Sequence, residues 1–334
     1  MNRALLALYT TKLIGKLFAE TSKTNPYNSL NYRRRKHQKF QQQNHQQWQK
    51  GIDLLEQFIT LNQEAAEDFI ERYTEQRDDI DQEKQFQAVL LLHARAIQTS
   101  NEILTQIKNG YTDGAYARWR NLYETAATAL FIKDHPDTGE RFLDYRTIED
   151  YYRAKTQEEY EYKLQINTIS GEEMQILKDN RQKLREKHGK SFDDGGYGYG
   201  WANNHFDRAT FPKIAEETEL DHLKPYYELT HKLIHSGATS ATYSMGILQD
   251  FNAHTNQNML EKYRLLSIQS SYGFTDAAQL TAISLAQITT ALLNLEPTML
   301  RLIKLQALQE LISDIQQEFL DTQREIERQA AIEK

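Results

Sequence analysis

A chain of 334 residues is long enough for one large domain or two small ones, and its lack of Cys excludes disulfides, thiolate zinc sites and cysteine nucleophiles. With 14 Gly and 5 Pro it is neither collagen-like nor a turn-rich β protein, and no apolar run reaches the roughly 18–20 residues of a membrane span. Charge is uneven: the whole chain carries −7, yet residues 1–50 hold ten Lys or Arg against Glu20 alone, a net of +9 that leaves −16 on the rest.

The first twenty residues are not a secretory signal, because Lys12 and Lys16 interrupt the apolar stretch, and a cytoplasmic location follows. Leu6, Tyr9, Leu13 and Leu17 recur at helical spacing and predict an amphipathic helix. A basic, Gln-rich arm comes next, with Arg33, Arg34, Arg35, Lys36 and Lys39. It reads either as a phosphate-binding element for nucleic acid or as a solvated linker, loosely ordered over 21–45. Helices are then predicted over about 46–78, 84–109, 113–135, from Asp137 onward and over 171–187, with Gly110 as a stop signal. Five of the fourteen glycines fall between Gly189 and Gly200 and mark a loop, 189–212, whose Tyr197, Tyr199 and Trp201 dock it or cover a cleft. Gly189-Lys190-Ser191 ends like a P-loop but lacks the earlier glycine and the preceding strand. Further helices open at Asp221, Asp276 and Pro297, the last running to about 330. No period-2 pattern appears, so the fold is all-α, a helical bundle with long terminal helices. Its parts are the helix and arm over 1–45, a bundle over 46–295 and a C-terminal helix over 296–334. The apolar stripes over 3–18 and 302–319 lie outside the bundle and are expected to make a homo-oligomer or to hold a partner protein.

Two helices carry polar residues at unusual positions. In AYARWRNLYETAATALFI, Arg120 falls within the apolar half of the wheel and Glu124 at its edge. The pair is either a buried ion pair locking neighbouring helices or the lining of a cleft. In LKPYYELTHKLIHSGA, His231 and His235 share one face at a spacing of four. They read as helix-end histidines, as proton-transfer groups or, less well, as metal ligands, because no Glu adjoins His231. The sequence thus calls for no cofactor and no metal.

The ordered set of Arg120, Glu124, His135-Pro136, Phe142, Tyr145, Tyr227, His235 and Ser236 resembles a bacterial helical family catalogued as domain of unknown function 5677, over about residues 85–250. The resemblance implies a helical fold and no stated activity. A more distant similarity is to the HEPN nucleases, which often cleave RNA without metal and are frequent in toxin and anti-phage systems. Their Arg would stand at 228–230, where Glu228, Leu229 and Thr230 are found, while Arg181 and His188 match the spacing in a polar helix. The similarity implies an RNA-directed effector of a bacterial defence or toxin-like system, acting by metal-independent phosphodiester cleavage or by binding at an Arg/Glu/His cleft. His235 and His231 would then transfer protons, Arg120 would hold phosphate and Glu124 would orient Arg120. The alternative is a non-catalytic helical adaptor or sensor subunit of a larger assembly.

Overall fold

The segment from Phe274 to Leu293 is apolar or small except along one stripe of Asp276, Gln279 and Gln287, a pattern that suits a helix with neighbours on most sides. It takes that position in the computed structural model, which describes residues 16, 30–75, 77, 83–165, 169–193, 198–235, 247–248, 266–267 and 269–332. The helices are α1 (Leu30–Glu75), α2 (Lys84–Lys108), α3 (Thr112–Asp134), α4 (Thr138–Leu164), α5 (Gly171–His188), α6 (Phe211–Glu217), α7 (Lys224–Ile234), α8 (Phe274–Leu293) and α9 (Met299–Ile332). The fold is all-α, as the sequence predicts. The extended pairing among the described residues is a two-residue antiparallel contact between β1 (Ile247–Leu248) and β2 (Leu266–Ser267).

Helix α8 packs on α1, α2, α3 and α9. Outside this bundle α4 lies on α2, α5 on α4, and α6 and α7 on α3. Aromatic side chains make the joints. Trp48 of α1 meets Phe274 and Phe319 at ring-centroid distances of 5.4 and 5.6 Å, which ties α1, α8 and α9 together. Tyr73 and Phe86 stack at 4.4 Å and hold the end of α1 on α2. Gly110 turns α2 into α3 with φ +75°, a conformation that costs glycine little, and a Cβ there would strike the Phe40 ring. Helix α5 opens with a capping box: Ser170 Oγ accepts the Glu173 amide at 3.2 Å, and Glu173 Oε2 accepts the Ser170 amide at 2.8 Å.

The structure corrects two expectations. The arm over 30–45 is not a loose linker: α1 begins at Leu30, sixteen residues before the expected start. Arg, Lys and Gln are good helix formers, and a polar anchor fixes the segment where an apolar stripe is missing. Asn44, buried in α1, donates through Nδ2 to the carbonyls of Ile107 at 3.2 Å and Lys108 at 3.1 Å, so it caps the end of α2. Gln41 also bonds Asn109. Second, the C-terminal stripe is not free for assembly, since Leu308, Ile312, Ile315 and Phe319 are buried within the chain. The stripe packs on α8 and on the middle of α1, where Trp48 and Gly51 meet Phe319 and Asp68 bonds Lys304. Apart from residue 16, the helix expected over 3–18 lies outside the described residues, as do residues 21–29. Among the described residues no helix is long and apolar enough to cross a membrane.

Candidate functional site

The wheel of α3 turns Arg120 toward α7, where Tyr227 meets it. Arg120 Nη2 donates to Tyr227 Oη at 2.7 Å, and Tyr227 Oη donates to Glu124 Oε1 at 2.9 Å. Arg120 Nε donates to the same oxygen at 3.2 Å, which closes a three-membered ring of charge-assisted bonds. The guanidinium also lies over the Tyr227 ring, 4.3 Å from its centroid. Arg120 and Glu124 side chains are 21% and 28% exposed, so the pair stands at the edge of the core, reached by water. Burial, with the Glu124 carboxylate beside it, pushes the Tyr227 phenol up to about 12, so it stays protonated and keeps donating. Tyr227→Phe is therefore expected to cost about 1–2 kcal/mol in urea unfolding, because one hydroxyl serves both bonds. No measurable change would mean that water replaces it fully.

The two histidines form a separate group. Tyr227, His231 and His235 follow at four-residue steps, so His235 is roughly 12 Å along the helix direction from Tyr227. Both histidines are exposed, and their rings lie 4.2 Å apart where α7 ends and the backbone of His235 becomes extended. Thus the hydrogen-bonded ring unites Arg120 and Glu124 with a tyrosine, and the histidines pair with each other. Arg181 and His188 also part company. Arg181 Nε donates to the buried Asp193 at 3.0 Å, whereas His188 Nε2 lies 2.7 Å from Asp144. The basic residues Arg33, Arg34, Arg35, Lys36 and Lys39 are exposed on the first turns of α1. Ser236 and Tyr197 lie outside the described residues.

Glu124 opens into a groove of about 1110 Å3 between α2, α3, α4 and the loop at 198–201. Its walls combine Leu91, Phe142, Tyr145, Tyr199 and Trp201 with Gln87, Asn121, Thr125 and Thr128. Trp201 is buried between the rings of Phe131 and Phe142, and its carbonyl accepts Arg141 Nε at 2.7 Å. This docks the glycine-rich loop and leaves Tyr199 half-buried in the wall. Gly200 permits the docking, since a Cβ there would collide with the Phe192 carbonyl. The Tyr199 phenol is raised, first by burial and then by Glu124. Two polar groups of the wall stand out. Both hydrogen bonds to Glu124 fall on Oε1. Asn121 Oδ1 is buried with no hydrogen-bond partner.

At the far side of the groove Glu140 and Asp144 project from α4, and His188 and Lys187 reach them from the end of α5. Lys187 Nζ is 2.8 Å from Glu140 Oε1 and 2.8 Å from Asp144 Oδ2. Burial alone would raise the Asp144 carboxyl, but its bonds to His188 and Lys187 outweigh this and hold it below the ordinary value. Glu140, Asp144 and His188 offer ligand atoms within 4.8 Å of one another, the set of metal-ligating type found among the described residues. Spacing alone did not reveal it, because His188 is forty-four residues from Asp144 and only packing of α5 on α4 joins them. The i,i+4 pair Glu140–Asp144 was the available signal.

A family model described as a family of unknown function, DUF5677, matches residues 86–254. The chain belongs to this family. The matched segment holds α2 to α7, and with them the groove, the Arg120–Glu124–Tyr227 ring and the His188 set, whereas α1, α8 and α9 lie outside it. No curated protein and no solved structure matches the chain.

Proposed function

We propose that this DUF5677 protein is a non-catalytic sensor subunit that takes a small polar aromatic ligand, nucleoside-like and bearing an N–H donor, in the groove between α2, α3 and α4. The observation that carries the reading is Glu124. Arg120 and Tyr227 both hold Oε1, which orients the carboxylate and leaves Oε2 to accept from a ligand. Phe142 and Tyr199 supply partly exposed ring faces for stacking. Calorimetry with adenosine tests the proposal against purine riboside, which lacks the exocyclic amine. Adenosine is expected to bind, with roughly tenfold loss for Glu124→Gln and for purine riboside, as suits one bond to a charged acceptor. Equal affinity for both nucleosides, or none for either, would end this reading. As an adaptor, the chain would meet its partner or a second copy at the start of α9, where Met299, Leu300, Leu302 and Ile303 are exposed.

A second reading rests on a different observation. Arg33, Arg34, Arg35, Lys36 and Lys39 stand exposed on two turns of one helix, a surface suited to phosphates. It supports an RNA-directed effector of the HEPN-like, defence or toxin type, with the exposed pair His231 and His235 as proton-transfer groups apart from the Arg120 ring. The groove wall sets four carboxylates, Glu124, Glu140, Asp144 and Glu149, against Lys84, Arg95 and Arg146, a balance that gives a phosphate chain less than the all-basic turns of α1, so RNA would lie on α1. RNA binding that weakens steeply with salt and disappears when these five cations are replaced is the expected result for this reading, and salt-independent binding would contradict it.

A further inference from the structure

We propose that Glu140, Asp144 and His188 form a divalent transition-metal site, open to the groove, in which the Lys187 ammonium holds the place of the ion. The inference stands apart from the sensor reading, since neither its geometry nor its test involves the nucleoside.

One helix turn separates Glu140 from Asp144, so both carboxylates leave the same face of α4. The imidazole comes from the last residue of α5, and its side chain is only 7% exposed. Three contacts fix it. Its ring packs on Phe192 at 4.5 Å, its Nε2 meets Asp144 Oδ2 at 2.7 Å, and its backbone carbonyl accepts Arg141 Nη1 at 3.3 Å. A desolvated, packed histidine beside two carboxylates is the donor set that zinc and similar ions take.

The present occupant supports the assignment. Asp144 Oδ2 receives both Lys187 Nζ and His188 Nε2, and Glu140 Oε1 receives Lys187 as well. A single ammonium thus sits between the two carboxylates. Lys187 is a flexible side chain, 44% exposed, and can swing into solvent, whereas His188 stays. An ion entering there would take three protein ligands and keep a remaining position toward the groove, which Glu140 and Asp144 both line. That is the arrangement of an open rather than a closed zinc site. Entry displaces the ammonium from between the two carboxylates.

The test is titration of the full chain, stripped with a chelator, with zinc chloride in a calorimeter. One zinc per chain is expected. His188→Gln and Asp144→Asn should each weaken it at least about tenfold, while Lys187→Ala should tighten it by a similar factor because the internal competitor is gone. Glu140→Gln, at an exposed position, gives the same loss without risk to the core, and circular dichroism confirms that each variant is folded. Absence of zinc binding in both wild type and Lys187→Ala would overturn the proposal. So would zinc binding that His188→Gln and Glu140→Gln leave unchanged, since the ion would then sit elsewhere.

Discussion

Trp119→Ala is expected to lower stability by about 3–5 kcal/mol, the largest single loss in the molecule. Trp119 is completely buried where α3 crosses α8. Its ring stacks on Tyr123 at 5.4 Å, and its Nε1–H is shared between the Leu280 carbonyl at 3.1 Å and Ser284 Oγ at 3.0 Å. Truncation leaves a cavity in the centre of the bundle and leaves Ser284, itself buried, without its donor. Trp119→Phe keeps most of the packing and loses only the N–H, so it should cost roughly half as much. Urea unfolding of the three proteins orders them. Loss of less than about 1 kcal/mol in the alanine variant would show that α3 and α8 do not depend on this joint.

Acid should weaken the fold well before its carboxylates titrate. His93 of α2 is buried, and its Nε2 lies 3.1 Å from Thr289 Oγ1 of α8. The Thr289 hydroxyl donates to Asn62 Oδ1 of α1 at 2.7 Å, so it accepts from the imidazole Nε2–H. Burial lowers the His93 pKa from 6.5 to about 4. The unfolded chain then binds a proton below pH 6.5 that the folded chain refuses until about pH 4. Stability is complete above pH 6.5 and falls across this window, by roughly 3 kcal/mol in all. Asp68, Asp144 and Glu296, whose carboxyls are held low by their ion pairs, lose their contributions at the acid end of that window and below it. Denaturant unfolding of wild type and His93→Gln between pH 7 and 4.5 separates the terms. The wild type should lose stability over this interval and the variant should lose little. Parallel slopes would place the acid sensitivity elsewhere.

The elements that sequence revealed best are those whose partners are apolar. The start of α8 could be read near Asp276, and the boundary at Gly110 from its chemistry. The inward position of Arg120 could be read from the wheel of α3. The start of α1 could not, because what fixes it is Asn44 capping a different helix, a long-range polar contact with no periodicity. The stripe on α9 was visible, but an apolar face does not name its partner, and here α8 and the middle of α1 in the same chain cover it. The site divides similarly. Arg120 and Glu124 announce themselves at i,i+4, and Tyr227 belonged to the family-like set without a stated partner. Tyr199, Asn121 and the His188 set depend on how the glycine-rich loop and α5 fold onto α4, which no local pattern encodes.

Amide hydrogen exchange with and without saturating adenosine tests the central claim most directly, since it maps where the ligand acts. The groove reading predicts added protection over 121–128, 142–146 and 198–201, which the Glu124→Gln variant loses, with α1 unchanged. Protection confined to the basic turns 33–39, or none in the groove at any nucleoside concentration, would contradict it.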